Sequence, residues 1–100
     1  MKENDSQNKV MKKKVKKLMM FEDPGHGWCR VRRAEKLFQK VAHLISGFSY
    51  QRGQYVYLEE DCDLAEYYYA CKEAGYEIEW KYNHTNKLSK IRGYEAYRNY

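Results

Sequence analysis

The chain has 100 residues, of which 43% are hydrophobic and 16% aromatic, so it can bury one compact core but has no room for two domains. The formal net charge is +5, and no apolar run is long enough for a signal peptide or a membrane span, which argues against a secreted or membrane protein. Three cysteines, Cys29, Cys62 and Cys71, are an odd number without a close pair. They favour a reducing cytoplasm, where they act as small buried hydrophobes, over a disulfide framework.

Charge is unevenly distributed along the chain. Residues 1–20 contain seven lysines and two acidic residues, and we expect residues 1–12 to be a flexible basic arm and residues 13–100 to form a single domain. Residues 59–79 reverse the sign, with eight carboxylates against one lysine. The folded molecule is therefore expected to be bipolar, and its net charge alone is weak evidence for nucleic-acid binding.

The first predicted element is a strand from Val15 to Glu22, because its dense apolar run ends at the turn-forming residues Asp23, Pro24, Gly25 and Gly27. Residues 28–32 then alternate, with Trp28, Arg30 and Arg32 on one face and Cys29 and Val31 on the other. The two segments predict a hairpin.

A helix is predicted after Arg33, where apolar residues recur at steps of three and four and Gly47 supplies a C-terminal stop. Its apolar face consists of Ala34, Leu37, Phe38, Val41, Leu44 and Ile45. A second hairpin follows, with strands over Phe48–Gln51 and Gln54–Leu58 around a turn at Arg52-Gly53.

A second helix is expected to begin at Asp61 or Asp63, since Asp63 and Glu66 have the spacing of a capping box, and to end at Gly75. Its inward residues would be Leu64, Tyr68 and Cys71. Residues 76–82 alternate without interruption and predict a strand.

After Asn83 the chain is polar, and a terminal helix or an ordered tail is predicted from apolar residues at every third position, namely Leu88, Ile91, Tyr94 and Tyr97. The predicted order of elements is therefore ββαββαβ. It indicates an α+β domain with a largely antiparallel sheet of about five strands, covered by two helices.

Two local patterns raise the question of a metal. The segment Asp23–Trp28, DPGHGW, resembles the strand-to-loop motif of zinc-dependent cell-wall amidases, whose histidine binds the metal. The resemblance covers this segment only, a second histidine would have to be His84, and a Pro-Gly turn displaying His26 is the preferred interpretation. The acidic run 59–63 could hold magnesium, but a helix cap with a solvated face is preferred. We predict no catalytic residue, no metal ligand and no cofactor.

Eleven tyrosines exceed what a core of this size can hold with every hydroxyl satisfied, so several are expected at the surface. About half can be explained as core or sheet-face residues. The surface candidates are Tyr50, Tyr55, Tyr57, Tyr67, Tyr69, Tyr94, Tyr97 and Tyr100. Tyrosine with arginine is the composition enriched at protein interfaces and on base-stacking surfaces.

The strings DPGHGWCRV, FSYQRGQYVYLEEDCD and KIRGYEAYR together resemble a group of short, uncharacterised proteins encoded by bacteriophages and related mobile elements. The resemblance spans roughly Phe21 to Arg98. It implies a genomic setting and a location in the cytoplasm of a bacterial host, without implying a mechanism.

Three functions remain open at this point. The first is a non-enzymatic phage-type protein that binds and inhibits a host or phage protein or ribonucleoprotein complex, in the manner of an anti-CRISPR protein. Its expected contacts are Arg30, Arg32, Tyr50, Arg52, Tyr55, Tyr57, Glu59, Glu60, Asp61, Asp63, Arg92, Tyr94 and Tyr97.

The second function is nucleic-acid binding, with cations on phosphates and tyrosines stacked on bases. The cations would be Lys12, Lys13, Lys14, Lys16, Lys17, Arg30, Arg32 and Arg33. The third is a metal-dependent hydrolase around His26. The oligomeric state stays open, because a tyrosine-rich face can serve a second copy as well as a foreign partner.

Overall fold

Residues 14–99 are described by a computed structural model, in which they form one six-stranded sheet with two helices. In chain order the elements are β1 Lys14–Glu22, β2 Gly27–Arg32, α1 Lys36–Val41, a 3-10 turn Ala42–Leu44, β3 Tyr50–Arg52, β4 Tyr55–Glu59, α2 Leu64–Glu73, β5 Tyr76–His84, a 3-10 turn Lys90–Gly93, and β6 Glu95–Ala96. The predicted α+β class is confirmed, with six strands instead of about five because the tail adds β6. The predicted basic arm, residues 1–12, lies outside the described residues. None of the helices within residues 14–99 is long and apolar enough to cross a membrane.

The strands lie in the order β5-β1-β2-β4-β3-β6. Both predicted hairpins are confirmed: β1 pairs antiparallel with β2, and β3 with β4. The second turn lies at Gly53-Gln54, one residue later than predicted, and Gly53 adopts the positive φ of 58° that favours glycine. β5 pairs parallel with β1, because the chain crosses through α2 from β4 to the far edge of the sheet.

The two helices cover one face of the sheet and enclose the main core. Alternation along β1, β2 and β4 directs every second side chain into that core. Its buried members are Leu18, Met20, Cys29, Val31, Phe38, Ala42, Ile45, Val56, Leu58, Tyr67, Cys71 and Tyr97. The intervening side chains lie on the opposite face, which we call the open face.

The first helix is shorter than predicted. The Glu35 carboxylate accepts the backbone N–H groups of Leu37 and Phe38 at 3.1 and 3.0 Å. Glu35 is therefore the N-cap residue, and Ala34 lies before the helix and is exposed. Beyond Val41 the backbone tightens into the 3-10 turn, which has about three residues per turn instead of about 3.6 and so breaks the predicted apolar face, and Leu44 is half exposed.

Asp63 is the N-cap residue of α2, as expected, but the predicted capping box is absent, since the Asp63 side chain caps no backbone N–H of its own helix. It accepts hydrogen bonds from the Ser46 N–H, the Ser46 hydroxyl and the Ser49 hydroxyl instead, at 3.0, 2.8 and 2.6 Å. Tyr67, not Tyr68, is the fully buried aromatic residue of this helix.

Candidate functional site

Arginines and aromatic rings alternate across the open face. Arg30 lies over the rings of Phe21 and Tyr55, at 5.2 and 4.7 Å from guanidinium carbon to ring centroid. Arg32 also lies over Tyr55, at 5.6 Å, and Arg52 over Tyr94, at 5.1 Å. The contacts to Tyr55 follow from register, because Arg32 pairs directly with Tyr55 across β2 and β4 and Arg30, two residues along, is its diagonal neighbour. We call Arg30, Arg32 and Arg52 with these rings the arginine face.

One end of the open face is covered by the tail. Ile91 packs with Trp28 and Tyr57 in a second, smaller buried cluster, and Tyr94 joins it with a ring 5.2 Å from that of Tyr57. Beside this cluster lies a cleft of about 400 Å³. Its lining consists of His26, Trp28, Phe48, Tyr50, Glu59, Asp61, Cys62 and Arg92.

His26 and Glu59 form a pair on the wall of the cleft. The His26 Nδ1 lies 2.9 Å from Glu59 Oε2, and the Glu59 side chain is only 7% exposed. The other oxygen, Oε1, accepts the backbone N–H groups of Asp61 and Cys62 at 2.8 and 2.9 Å. Burial favours the neutral carboxyl, but these hydrogen bonds outweigh it and hold the pKa of Glu59 below its usual value.

Arg92 is fixed at the other side of the cleft by Asp23. The guanidinium donates two hydrogen bonds to the buried carboxylate, from Nε at 2.6 Å and from Nη2 at 2.9 Å. This pair, with the backbone N–H groups of Ser89, Gly25 and His26, holds the pKa of Asp23 far below its usual range despite burial. The DPG turn therefore anchors the tail, because Ser89 and Arg92 both bind Asp23.

Carboxylates crowd the mouth of the cleft. Burial, followed by the nearby charges of Asp61, Glu22 and Glu59, raises the pKa of Glu60. His26, Glu59 and Asp61 each offer a ligand atom within 4.8 Å of the other two. Trp28 lines the same cleft, and its buried indole Nε1 has no hydrogen-bond partner among the described residues.

The structure brings together most of the expected partner-contact residues. Arg30, Arg32, Tyr50, Arg52, Tyr55, Arg92 and Tyr94 lie on the open face or at the cleft, and Glu60 and Asp61 are exposed beside it. Four others are buried, namely Tyr57, Glu59, Asp63 and Tyr97, and of these only Glu59 lines the cleft. The predicted surface positions of Tyr57, Tyr67 and Tyr97 are therefore wrong: Tyr57 lies under Tyr94, Tyr67 bonds Glu35, and Tyr97 packs on Phe38. Tyr100 lies outside the described residues.

The expected nucleic-acid cations are divided between two faces. Lys17, Arg30 and Arg32 lie on the open face, at an opening between the start of β1 and the end of β2 that Lys16 and Glu35 also line. Lys14 and Lys16 lie over the Tyr76 ring on the helix side, where Lys14 donates to the Ala74 carbonyl and Lys16 pairs with Glu35 at 3.3 Å. Arg33 donates to Gln51 and to the Gly53 carbonyl. Lys12 and Lys13 lie outside the described residues.

No protein-family model matches the chain, and none of the curated proteins or solved structures matches it. Function must therefore be argued from the geometry of the open face and the cleft.

Sequence reasoning missed the pairing of His26 with Glu59, which are 33 residues apart. It also placed Cys62 in the interior, whereas that thiol is exposed at the cleft. Three separated segments of the chain, DPGHGWCRV, FSYQRGQYVYLEEDCD and KIRGYEAYR, meet here. His26 and Trp28 come from the first, Tyr50, Glu59 and Asp61 from the second, and Arg92 from the third.

Proposed function

We propose that this chain is a binding protein whose arginine face holds a single-stranded nucleic acid. The observation that carries the proposal is the state of Arg30, Arg32 and Arg52. Each guanidinium lies over an aromatic ring, and within residues 14–99 none forms an ion pair with a carboxylate. Three oriented and uncompensated cations favour an anionic partner.

The local chemistry supports a flexible strand as the partner. The rings hold the guanidinium planes in place, so less side-chain entropy is lost when the arginines bind phosphate or stack on a base. The exposed acidic residues of the open face, Glu77 and Glu79, lie on β5 at the opposite edge of the sheet from Arg52. The anion would therefore lie across β2, β4 and β3.

The test is fluorescence anisotropy of labelled single-stranded RNA and DNA with the full chain, between about 50 and about 200 mM salt. Wild type should bind with affinity that falls steeply as salt rises. The double variant Arg30→Ala/Arg52→Ala should bind weakly, with a salt slope reduced by about 1.4, because each lost phosphate contact removes about 0.7.

The matched control is Lys36→Ala/Lys40→Ala, which removes two exposed cations from α1 on the helix side. It removes the same number of positive charges as Arg30→Ala/Arg52→Ala. Its affinity for the nucleic acid and the salt dependence of that affinity should stay close to those of wild type. Absence of binding at low salt, or equal loss in both double variants, would reject the arginine face as the binding surface. Circular dichroism spectra establish that each variant is folded.

The second candidate function is binding and inhibition of a complex of a bacterial host, in the manner of an anti-CRISPR protein. The observation that favours it is the number of exposed carboxylates, because acidic side chains can occupy a nucleic-acid channel. They are Glu60 and Asp61 beside the cleft, Glu66 and Glu73 on α2, and Glu77 and Glu79 on β5. If the chain retained a complex from the bacterial host after nuclease digestion and a wash with salt, that result would favour this candidate over the first. The expectation that the chain has no enzymatic activity stays a prediction.

A further inference from the structure

We propose that His26, Glu59 and Asp61 bind one divalent transition-metal ion at the cleft. This inference is independent of nucleic-acid binding, since none of the three residues belongs to the arginine face. It rests on the donor set, on how the fold holds it, and on the state of the surrounding cleft.

The donor set is one imidazole nitrogen and two carboxylates. Their ligand atoms lie within 4.8 Å of one another. An ion with ligand distances of about 2.1 Å holds its ligands about 3 to 4 Å apart, so only a small contraction is required. Imidazole with carboxylates suits Mn²⁺, Fe²⁺ or Zn²⁺ better than Ca²⁺ or Mg²⁺, which prefer oxygen ligands alone.

Backbone hydrogen bonds hold two of the ligands before any ion arrives. The His26 N–H donates to Asp23 Oδ1 at 3.0 Å, and the Asp23 N–H donates to the His26 carbonyl at 2.9 Å, so the DPG turn fixes the position of His26. Glu59 Oε1 is occupied by the N–H groups of Asp61 and Cys62, which leaves Oε2 as the ligand atom. The ion would replace the proton between His26 Nδ1 and Glu59 Oε2.

The surroundings supply two further observations. Acidic residues follow one another at the cleft mouth, where Glu60 stands between Glu59 and Asp61 in the chain, whereas Arg92 is paired with Asp23. Trp28 lines the cleft, its buried N–H has no acceptor within residues 14–99, and a buried donor without a partner is uncommon in a complete site. An oxygen ligand held in the cleft beside the ion could satisfy it. Three protein ligands also leave coordination positions open to the cleft.

The experiment is titration of the chelator-treated full chain with MnCl₂, followed by calorimetry and by water-proton relaxation. Mn²⁺ is the principal probe because it has little affinity for the three thiols. Wild type should bind one equivalent, and water relaxation should be enhanced because open positions keep water on the ion. His26→Ala should weaken binding at least about tenfold. Asp61→Asn, at an exposed position that the fold does not require, should also weaken it.

The matched controls are His84→Ala and Glu66→Gln, which remove the same chemical groups at exposed positions outside the cleft. Both should bind Mn²⁺ like wild type, as should the Arg30→Ala/Arg52→Ala variant. Less than about a tenth of an equivalent bound to wild type would overturn the site. So would affinity in His26→Ala and Asp61→Asn equal to that of the controls, because the ion would then lie elsewhere.

Discussion

Glu35 joins three parts of the molecule through one carboxylate. It accepts the first free N–H groups of α1, the hydroxyl of Tyr67 from α2 at 2.8 Å, and the ammonium group of Lys16 from β1. Burial favours its neutral form, but the Tyr67 hydrogen bond, the two backbone N–H groups and Lys16 together lower the pKa of Glu35. The ionised carboxylate therefore stabilises the fold.

Glu35→Gln is expected to lower the free energy of unfolding by about 1 to 2 kcal/mol near pH 7, because it removes a charged cap and an ion pair. The folded-state pKa lies below the unfolded one, so this contribution is complete above the unfolded value of about 4.3 and is lost as the pH falls through the folded value. Urea unfolding at about pH 7 and about pH 3 measures it. The difference in unfolding free energy between wild type and Glu35→Gln should be smaller at about pH 3 than at about pH 7. The control Glu73→Gln, at an exposed position, should unfold with the wild-type free energy at both pH values.

Sequence patterns predicted the residues of the main core well, but not which polar residues would be buried with it. Cys29 and Cys71 are buried, and burial raises the pKa of the Cys29 thiol to about 12, which fits the expectation of an inert hydrophobe. Asp23, Glu59 and Asp63 are also buried, because each accepts several hydrogen bonds, of which at least one comes from a distant segment. Periodicity cannot show those donors.

At the scale of elements, the loop between α1 and β3 is attached to the start of α2 by Asp63. Asp63→Asn is expected to lower the free energy of unfolding by about 1 to 3 kcal/mol. The reason lies in Ser49, whose hydroxyl accepts the Glu59 N–H and so must donate its hydrogen to residue 63. The Asp63 carboxylate accepts hydrogen bonds on both of its oxygens, whereas an amide at residue 63 has only one acceptor oxygen, so at least one of these hydrogen bonds is lost.

The control for Asp63→Asn is Glu66→Gln, three residues away on the exposed side of the same helix. It removes an equal charge from the first turn of α2 but breaks no buried hydrogen bond. Equal destabilisation of the two variants, measured by urea unfolding, would show that helix-dipole electrostatics and not the buried serines determine the effect.

Local signals located the elements because most of them are specified within a few residues. Both hairpins follow from turn residues, and Gly75 ends α2 with a φ of 91°. The parallel pairing of β5 with β1 was not predicted, since no local pattern states which edge a strand will join after a helical crossover. The added strand β6 pairs through two residues only, too few to give a period.

At the scale of the whole molecule, the two faces of the sheet differ in packing and composition. The helix-covered face holds the main core, and the open face carries the arginines, the small tail-covered cluster and the cleft. Alternation along residues 28–32 predicted that Trp28, Arg30 and Arg32 share one face, and these residues lie on the open face. The cleft was not predicted, because it combines a turn at residue 26, a turn at 59–62 and the tail at residue 92, whose proximity arises only from tertiary structure.

This architecture predicts a gradient of stability across the sheet. β2 and β4 have hydrogen-bonded strands on both sides and direct Cys29, Val56 and Leu58 into the core with no exposed surface. β6 is a two-residue edge strand, and the outer edge of β5 has no partner strand among the described residues. Native-state hydrogen exchange followed by NMR should therefore find the slowest amides in β2 and β4 and the fastest strand amides in β6.

The same measurement can be combined with the Asp63→Asn variant. The slowest amides exchange through global unfolding, so their rates should rise by the factor that corresponds to the variant's loss in unfolding free energy, about tenfold per 1.4 kcal/mol. Edge amides that open locally should change little. If β4 amides exchanged as fast as those of β6, or if all strands responded equally to Asp63→Asn, the main core would not be the last part of the sheet to open. The arginine face and the cleft would then lack the rigid support that the strands β2 and β4 are expected to give them.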